Sequence, residues 1–403
     1  MNEPKIRFQG FEGEWEEKKL GEITTSFSGG TPTAGNAEYY GGDIPFIRSG
    51  EIHEDKTELY LTAVGFQSSS AKMVKKGTLL YALYGATSGD VAISKIDGAI
   101  NQAILAITPV KEVESEFLSN FLQAHKKVIV NELLQGGQGN LSGALVKGIN
   151  VQFPLCKEQS AIKDFCGNFD TLITSTASRL ASLKQMKAAS LQAMFPQEGE
   201  TVPKIRFKGF EGEWENVKLS SFAKRIMRKN ERLESTLALT IASAYGLVSQ
   251  IDYFNNSVVG SNLRNYYLLR KGEFAYNKSY SNGYPFGSVK RLDRYNEGIL
   301  STLYIVFSID ESISSDYLCY FFDTTLWHRD VAERAAEGAR NHGLLNIGAN
   351  DFLDINIWRP KTIAEQQAIA SYFTSLDKQI TLQSQRLEKL KQIKSACLDK
   401  MFV

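Results

Sequence analysis

Glu17 and Lys19 form a Glu-x-Lys pair of the kind found in nuclease metal sites. The matched position in the second half of the chain reads Asn216 and Lys218, so that copy lacks the acid. A pair missing from its own duplicate is better read as a solvated charge run. The other groups able to do covalent or metal chemistry are scattered. His53, His125, His328 and His342 show no metal-ligand spacing, so core or surface histidines are expected. Cys156, Cys166, Cys319 and Cys397 have no C-x-x-C spacing and are too sparse for a disulfide scaffold. Reduced thiols in a cytoplasmic protein are expected. The chain contains no G-x-S-x-G elbow, no G-x-x-x-x-G-K-[ST] phosphate cradle, no NPPF or DPPY phrase for amino-methylation and no F-x-G-x-G for its cofactor. These absences predict a chain that is no enzyme and needs no metal or cofactor.

What such a chain does must then follow from its elements. A length of 403 residues predicts two to three domains, and 43% hydrophobic with 23% charged residues is ordinary for a soluble protein. No apolar run approaches the roughly 18 residues of a membrane span. The stretch 237–248 is too short and breaks at Gly246. The N-terminus has no basic-then-apolar pattern, so no signal peptide is expected. Net charge is +1 and unevenly spread: Lys224 to Arg294 holds twelve basic and five acidic residues, whereas Glu22 to Pro154 holds ten basic and thirteen acidic. A broad positive field is therefore available only to the second half.

The chain repeats itself. "PKIRFQGFEGEW" (4–15) returns as "PKIRFKGFEGEW" (203–214), with eleven of twelve positions identical. Residues 158–195 align without gaps to residues 365–402. Each half reads short motif, long variable stretch, long helical segment. Phe169, Ile173, Leu180, Leu183 and Met194 keep a 4-3 rhythm that Leu376, Ile380, Leu387, Leu390 and Met401 repeat. Thr176 and Gln383 interrupt the two seams at one matched place, and Lys187 and Lys394 at another. A heptad seam wants a partner helix, and two in one chain can satisfy each other as an antiparallel pair about 57 Å long. Packing of each helix on its own domain is the alternative.

Between these segments the pattern is α+β. Residues 78–85, 90–96 and 103–110 are short β-rich runs, followed by a helix at 115–126. Residues 273–280, 287–292 and 302–309, with a helix at 314–325, occupy matching places. The variable stretches are expected to share one fold and differ at the surface. The domains expected are 1–155 and 201–360, with 156–200 and 361–403 as helix and linker, in a pseudo-twofold internal repeat.

This arrangement resembles the specificity subunit of a Type I restriction–modification enzyme. "GGTPTAGNAEYYGGDIPFIRSGEI" (29–52) is similar to the opening of a target recognition domain in that family, with Tyr40 and Phe46 where tryptophan is common. Residues 68–93 and 101–107 are similar to its following strands, and "INVQFPLCKEQSAI" (149–162) and "INIWRPKTIAEQQAI" (355–369) to the phrases leading into its spacer helices. The second half lacks the GGTP and IPW phrases, which implies a different recognition-domain subtype. The resemblance implies two target recognition domains separated by two long antiparallel coiled-coil spacer helices. Each domain would read one half of a gapped sequence in double-stranded DNA. The helices would set the gap and dock two adenine-methyltransferase (modification) subunits, joined by restriction (nuclease and translocase) subunits. The near-identical "PKIRF-GFEGEW" would be frame and not reader. A coiled-coil adaptor that binds protein instead of DNA is the rival reading, and a standalone nuclease is another.

For DNA contact, loops with amides, hydroxyls, cations and planar faces are required. In the second domain Asn277, Lys278, Tyr280 and Asn282 lie in such a loop, "NKSYSNGYPFG" (277–287), with a plain surface turn as the alternative. Arg228, Lys229 and Arg264 suit backbone phosphates, and Arg340, Asn341 and His342 sit between glycines just before the "IN" phrase. The corresponding loop of the first half carries Gln138, Asn140 and Ser142. Thr31, Arg48, Tyr84, Thr87 and Gln102 complete the candidates, Arg48 as a guanine reader or as a salt bridge to Asp43 or Glu51.

Overall fold

The computed structural model describes residues 3–133, 140–243, 245–255, 262–335 and 345–402. The chain forms two compact units: residues 1–178 with 384–403, and residues 179–383.

The first unit contains β1 (Glu16–Lys19), β2 (Thr24–Ser28), β3 (Tyr40–Ile47), β4 (Tyr60–Leu61), β5 (Lys72–Val74), β6 (Leu79–Ala82), β7 (Val91–Ile93), β8 (Gly98–Ile100), β9 (Ile104–Pro109) and β10 (Asn150–Phe153). The second contains β11 (Glu215–Lys218), β12 (Ala223–Arg225), β13 (Leu239–Ala242), β14 (Gly246–Ser249), β15 (Tyr267–Arg270), β16 (Phe274–Asn277), β17 (Ser288–Arg291), β18 (Glu297–Leu300), β19 (Ile305–Ile309) and β20 (Asn356–Arg359). One antiparallel sheet has the same order in both, β2-β9-β6-β7 and β12-β19-β16-β17. A ribbon joins the start of each half to its end, β1 with β10 and β11 with β20. The other layer differs: a four-stranded sheet β4-β3-β8-β5 in the first unit, two ribbons β13-β14 and β15-β18 in the second.

The unbroken apolar runs have a simple cause. Side chains alternate across a strand, and here both faces are covered. Leu79, Tyr81, Leu105 and Ile107 enter a core with Phe117, Leu118 and Phe121 of the helix Ser115–Ala124. Their neighbours Leu80, Ala82, Ile104 and Ala106 enter a second core with Ile47, Val74 and Ile100 of the other sheet. In the second unit Phe274, Tyr276 and Phe307 pack on the helix Ser315–Phe321, while Ala275 and Val306 face Ile241, Leu269 and Leu300.

The two long helices run Cys156–Ala193 and Ile363–Met401. An unbroken 4-3 row of positions sheltered from solvent runs along each. It passes through Ile162, Cys166, Phe169, Ile173, Thr176, Leu180, Leu183, Lys187, Ser190 and Met194 on one, and Ile369, Phe373, Leu376, Ile380, Gln383, Leu387, Leu390, Lys394, Cys397 and Met401 on the other. In the second unit Lys187 pairs with Asp377 at 2.8 Å and Ser190 meets the Tyr372 hydroxyl at 2.9 Å. In the first, Lys394 pairs with Asp170 at 2.6 Å. Among the described residues no helix is long and apolar enough to cross a membrane.

The duplicated motif meets the start of each long helix. Arg7 holds Glu158 with two bonds of 2.7 and 2.8 Å and donates to Gly13 O and Glu12 O. Arg206 holds Glu365 at the same 2.7 and 2.8 Å and donates to Gly212 O and Glu211 O. The next residue of each helix is equally fixed. Gln159 accepts from Glu114 N and donates to Pro154 O, and Gln366 accepts from Ser314 N and donates to Pro360 O. All four Glu and Gln side chains are buried, which only such complete pairing permits.

Candidate nucleic-acid interface

The candidate residues of the first unit gather at one end of the sheet β2-β9-β6-β7. Ser28, at the end of β2, is level with Leu105, and Ala82, at the end of β6, with Ile104. The segments leaving β2 and β6 and entering β9 therefore emerge together. Gly29 and Gly30 make the exit from β2 possible. A Cβ on Gly29 would lie 1.8 Å from Ile100 O, and one on Gly30 would lie 2.6 Å from Ser70 Cβ. Only glycine lets the backbone pass so close. Thr31 is delivered to Gln102, and its Oγ1 donates to Gln102 Oε1 at 2.5 Å. Leu83 N donates to Ala103 O, and Leu141 N to Leu83 O at 3.0 Å, which brings the exposed Asn140 to the same end. Tyr84 is exposed, and Thr87 bonds back to Tyr84 O. Ser142 accepts from Leu145 N as the N-cap of a short helix, so its hydroxyl is already engaged.

Arg48 follows β3, whose last residue Ile47 is level with Ile100 at the end of β8, and its guanidinium is engaged. The salt-bridge alternative is the one formed, with Glu51 at 2.9 Å and Glu58 at 2.6 Å, not with Asp43. Burial opposes ionisation of Glu51, but bonds from Arg48 and from the Glu58 and Arg48 amides outweigh it and hold the carboxyl at about 2.

The second unit repeats the arrangement. Tyr276 in β16 is level with Ile305 at the start of β19, and Leu345 N donates to Lys278 O at 3.0 Å, as Leu141 does to Leu83. The loop from Lys278 to Gly287 joins β16 to β17, as expected. A Cβ on Gly287 would lie 2.0 Å from Asn277 O, so the loop closes only with glycine there. Asn277 accepts from Ser279 N, and Lys278 Nζ reaches Ile347 O at 3.4 Å. Tyr280 and Asn282 remain exposed. Ser243, in the turn between β13 and β14, lies 3.2 Å from Ser281 and 3.0 Å from Ser288, hydroxyl to hydroxyl. Sequence reasoning passed over this turn because it sits inside an apolar run.

Three basic candidates do other work. Arg228 forks onto Glu273 at 2.6 and 2.8 Å and donates to Leu268 O. Glu273 precedes β16, so this pair lies at the end opposite Asn277. Lys229 donates to Asn265 O and sits 4.3 Å over the Tyr267 ring, and Arg264 donates to Glu231 O. Arg291 also pairs with Asp293 and Asp316, and Lys290 with Asp323. Much of the local positive charge is thus paired within the fold. Gln138, Arg340, Asn341 and His342 lie outside the described residues. Among the described residues, no cluster of three or more His, Cys, Asp or Glu could hold a metal ion.

The family model of the Type I restriction modification DNA specificity domain matches residues 12–185 and again residues 211–392. The chain belongs to this family of specificity subunits. DNA target recognition is the role of that family, and no catalytic family is indicated. The chain is 30% identical over 168 residues to the Type I restriction enzyme MjaIX specificity subunit of Methanocaldococcus jannaschii, covering 40% of this chain and 39% of that one. It is 25% identical over 173 residues to the EcoR124I/EcoR124II specificity subunit of Escherichia coli, covering 41% and 43%. The chain thus spans about two fifths of the length of these curated relatives. Its fold is similar to a crystal structure of the S subunit of a Type I restriction–modification system from M. genitalium, with a TM-score of 0.64 at 15% identity, covering 100% of this chain and 99% of that one. Each specificity domain of the family is one recognition domain, and the α+β fold carries two.

Proposed function

We propose that this chain is the non-catalytic, DNA-reading subunit of a Type I restriction–modification complex, and that its two recognition domains each read one half of a bipartite, gapped duplex target. The observation that carries this reading is a duplication with a difference. The same loops meet at the same end of the same sheet in both units, through the matched bonds Leu141 to Leu83 and Leu345 to Lys278, while the exposed side chains there differ. Two equal scaffolds with unequal surfaces suit two different half-sites.

Thr31, Tyr84, Thr87, Gln102 and Asn140 are the base- and sugar-facing groups of the first domain, and Tyr280 and Asn282 those of the second. Ser142, Asn277 and Lys278 shape the loops that carry them, and Arg48, Arg228, Lys229 and Arg264 brace the surrounding domains through their own pairs. Gln138, Arg340, Asn341 and His342 retain the contact role their sequence suggests. Residues 1–155 and 201–360 are the readers. The helical segments 156–200 and 361–403 pair as an antiparallel coiled coil, fix the gap and dock two methyltransferase subunits. Restriction subunits complete the assembly in the cytoplasm.

The test is to express the chain with the methyltransferase subunit of the same system and map N6-methyladenine across the host DNA. One gapped motif, methylated on both strands and lost when either partner is omitted, is the expected result. No methylation from a complex that demonstrably forms would favour the protein-binding adaptor.

A further inference from the structure

The hairpin β13-β14 carries an exposed tyrosine, Tyr245, outside the loops that hold the candidate residues. Its turn is closed by Tyr245 N, which donates to Ala242 O at 2.8 Å, and by Gly246 at φ +86°. The Ser243 hydroxyl meets Ser281, inside the 278–287 loop, and Ser288, the first residue of β17. The turn is thereby fastened to the proposed reading loop of the second domain. Tyr245 is 65% exposed and Tyr280 is 60% exposed, whereas Tyr276 and Tyr317 in the same unit are fully buried. A tyrosine ring gains by leaving water, and its hydroxyl keeps a polar handle when it does. Isolated exposed rings are ordinary. Two rings on neighbouring loops that are pinned to each other form a prepared surface.

We infer that Tyr245 contacts duplex DNA and specifies part of the same half-site as Tyr280. The inference rests on the DNA-reading function proposed above and extends it to a residue on a different element. Charge favours DNA over a protein partner. Residues 239–251 and 277–287 contain Lys278 and no carboxylate, and the carboxylates that share a cavity with Gly246 are neutralised by pairing, Asp323 with Lys290, Asp293 and Asp316 with Arg291, and Asp377 with Lys187. A phenol ring packs on a thymine methyl in the groove, and its hydroxyl can donate to a base-edge acceptor.

The test uses the complex with the methyltransferase subunit. Tyr245→Ala relaxes one or two positions of a single half-site, the half-site that Tyr280→Ala also relaxes, and leaves the other half-site and the gap unchanged. Affinity for the cognate duplex falls about 10-fold, the range of one lost base-edge contact. The slope of log affinity against log salt stays the same, because tyrosine neutralises no phosphate. Tyr245→Phe retains most of the affinity and separates the ring from the hydroxyl. A wild-type motif that Tyr245→Ala leaves untouched, at unchanged affinity, overturns the inference alone. So does relaxation of both half-sites, which indicates a general structural loss. A wild-type complex without any motif sinks the proposed function itself.

Discussion

The two units hold their long helices in the same way and expose different loops. Arg7 with Glu158 and Arg206 with Glu365 agree to a tenth of an ångström in both carboxylate bonds. Phe402 packs against Trp15, Phe117 and Phe121 of the first unit, as Phe195 packs against Trp214, Tyr317 and Phe321 of the second. A residue just past the end of one long helix thus completes each core. One difference inside this shared frame is small and informative. Trp214 Nε1 donates to Glu365 at 3.3 Å, whereas Trp15 Nε1 is buried with no partner among the described residues. The larger differences lie in the outer β layer, a bulged four-stranded sheet against two ribbons. Duplicated parts kept their geometry where they hold a helix and diverged where they face outward.

The aromatic plugs give the largest expected effects. Phe195→Ala and Phe402→Ala should each cost about 3–5 kcal/mol, the usual range for emptying a packed aromatic site. Hydrogen exchange resolved by unit should show lost protection in residues 179–383 for the first and in residues 1–178 with 384–403 for the second. Equal loss in both units from either substitution would break the comparison.

The arginine clamps sharpen it. Removing one partner of a buried ion pair costs about 3–5 kcal/mol, because the other charge is left without compensation. Arg7→Ala should be worse than Arg206→Ala by about 1 kcal/mol, since Glu365 keeps the indole N–H of Trp214 and Glu158 has no such bond. Denaturation of the two variants side by side measures the difference, and a more damaging Arg206→Ala would show that the indole bond contributes nothing.

The smallest effect is a pH dependence confined to the first unit. The Glu51 carboxyl, held at about 2, contributes stability in full above its unfolded value. That value is about 4.3 for a free glutamate. The contribution is lost as the pH falls from there through the folded value. Glu51→Gln should flatten the acid dependence of exchange around β3 and leave the second unit unchanged. An equal change in both units would assign the acid sensitivity elsewhere.

Several features were legible in the sequence for identifiable reasons. The strands were readable because a sheet buried on both faces needs a continuous apolar run, as in Leu79 to Ala82 and Phe274 to Tyr276. The long helices were readable because their 4-3 row is local and repeated. Their ends shifted by about two residues, with Met194 and Phe195 leaving the helix to enter the core of the second unit. The candidate contacts were less legible. Arg48 had a local partner in view, Glu51 three residues on, but Arg228, Lys229 and Arg264 look free in sequence, and their partners Glu273, Asn265 and Glu231 are thirty-three to forty-five residues away.

By itself the sequence determined the duplication and the α+β class, because each is written in identity or short periodicity. Only the tertiary structure decided which polar groups face outward. It engaged Arg228 with Glu273 and Ser142 with Leu145 N, and it carried Ser243 to Ser281, thirty-eight residues away. A side chain's availability depends on what the fold places beside it, and sequence spacing does not encode that distance.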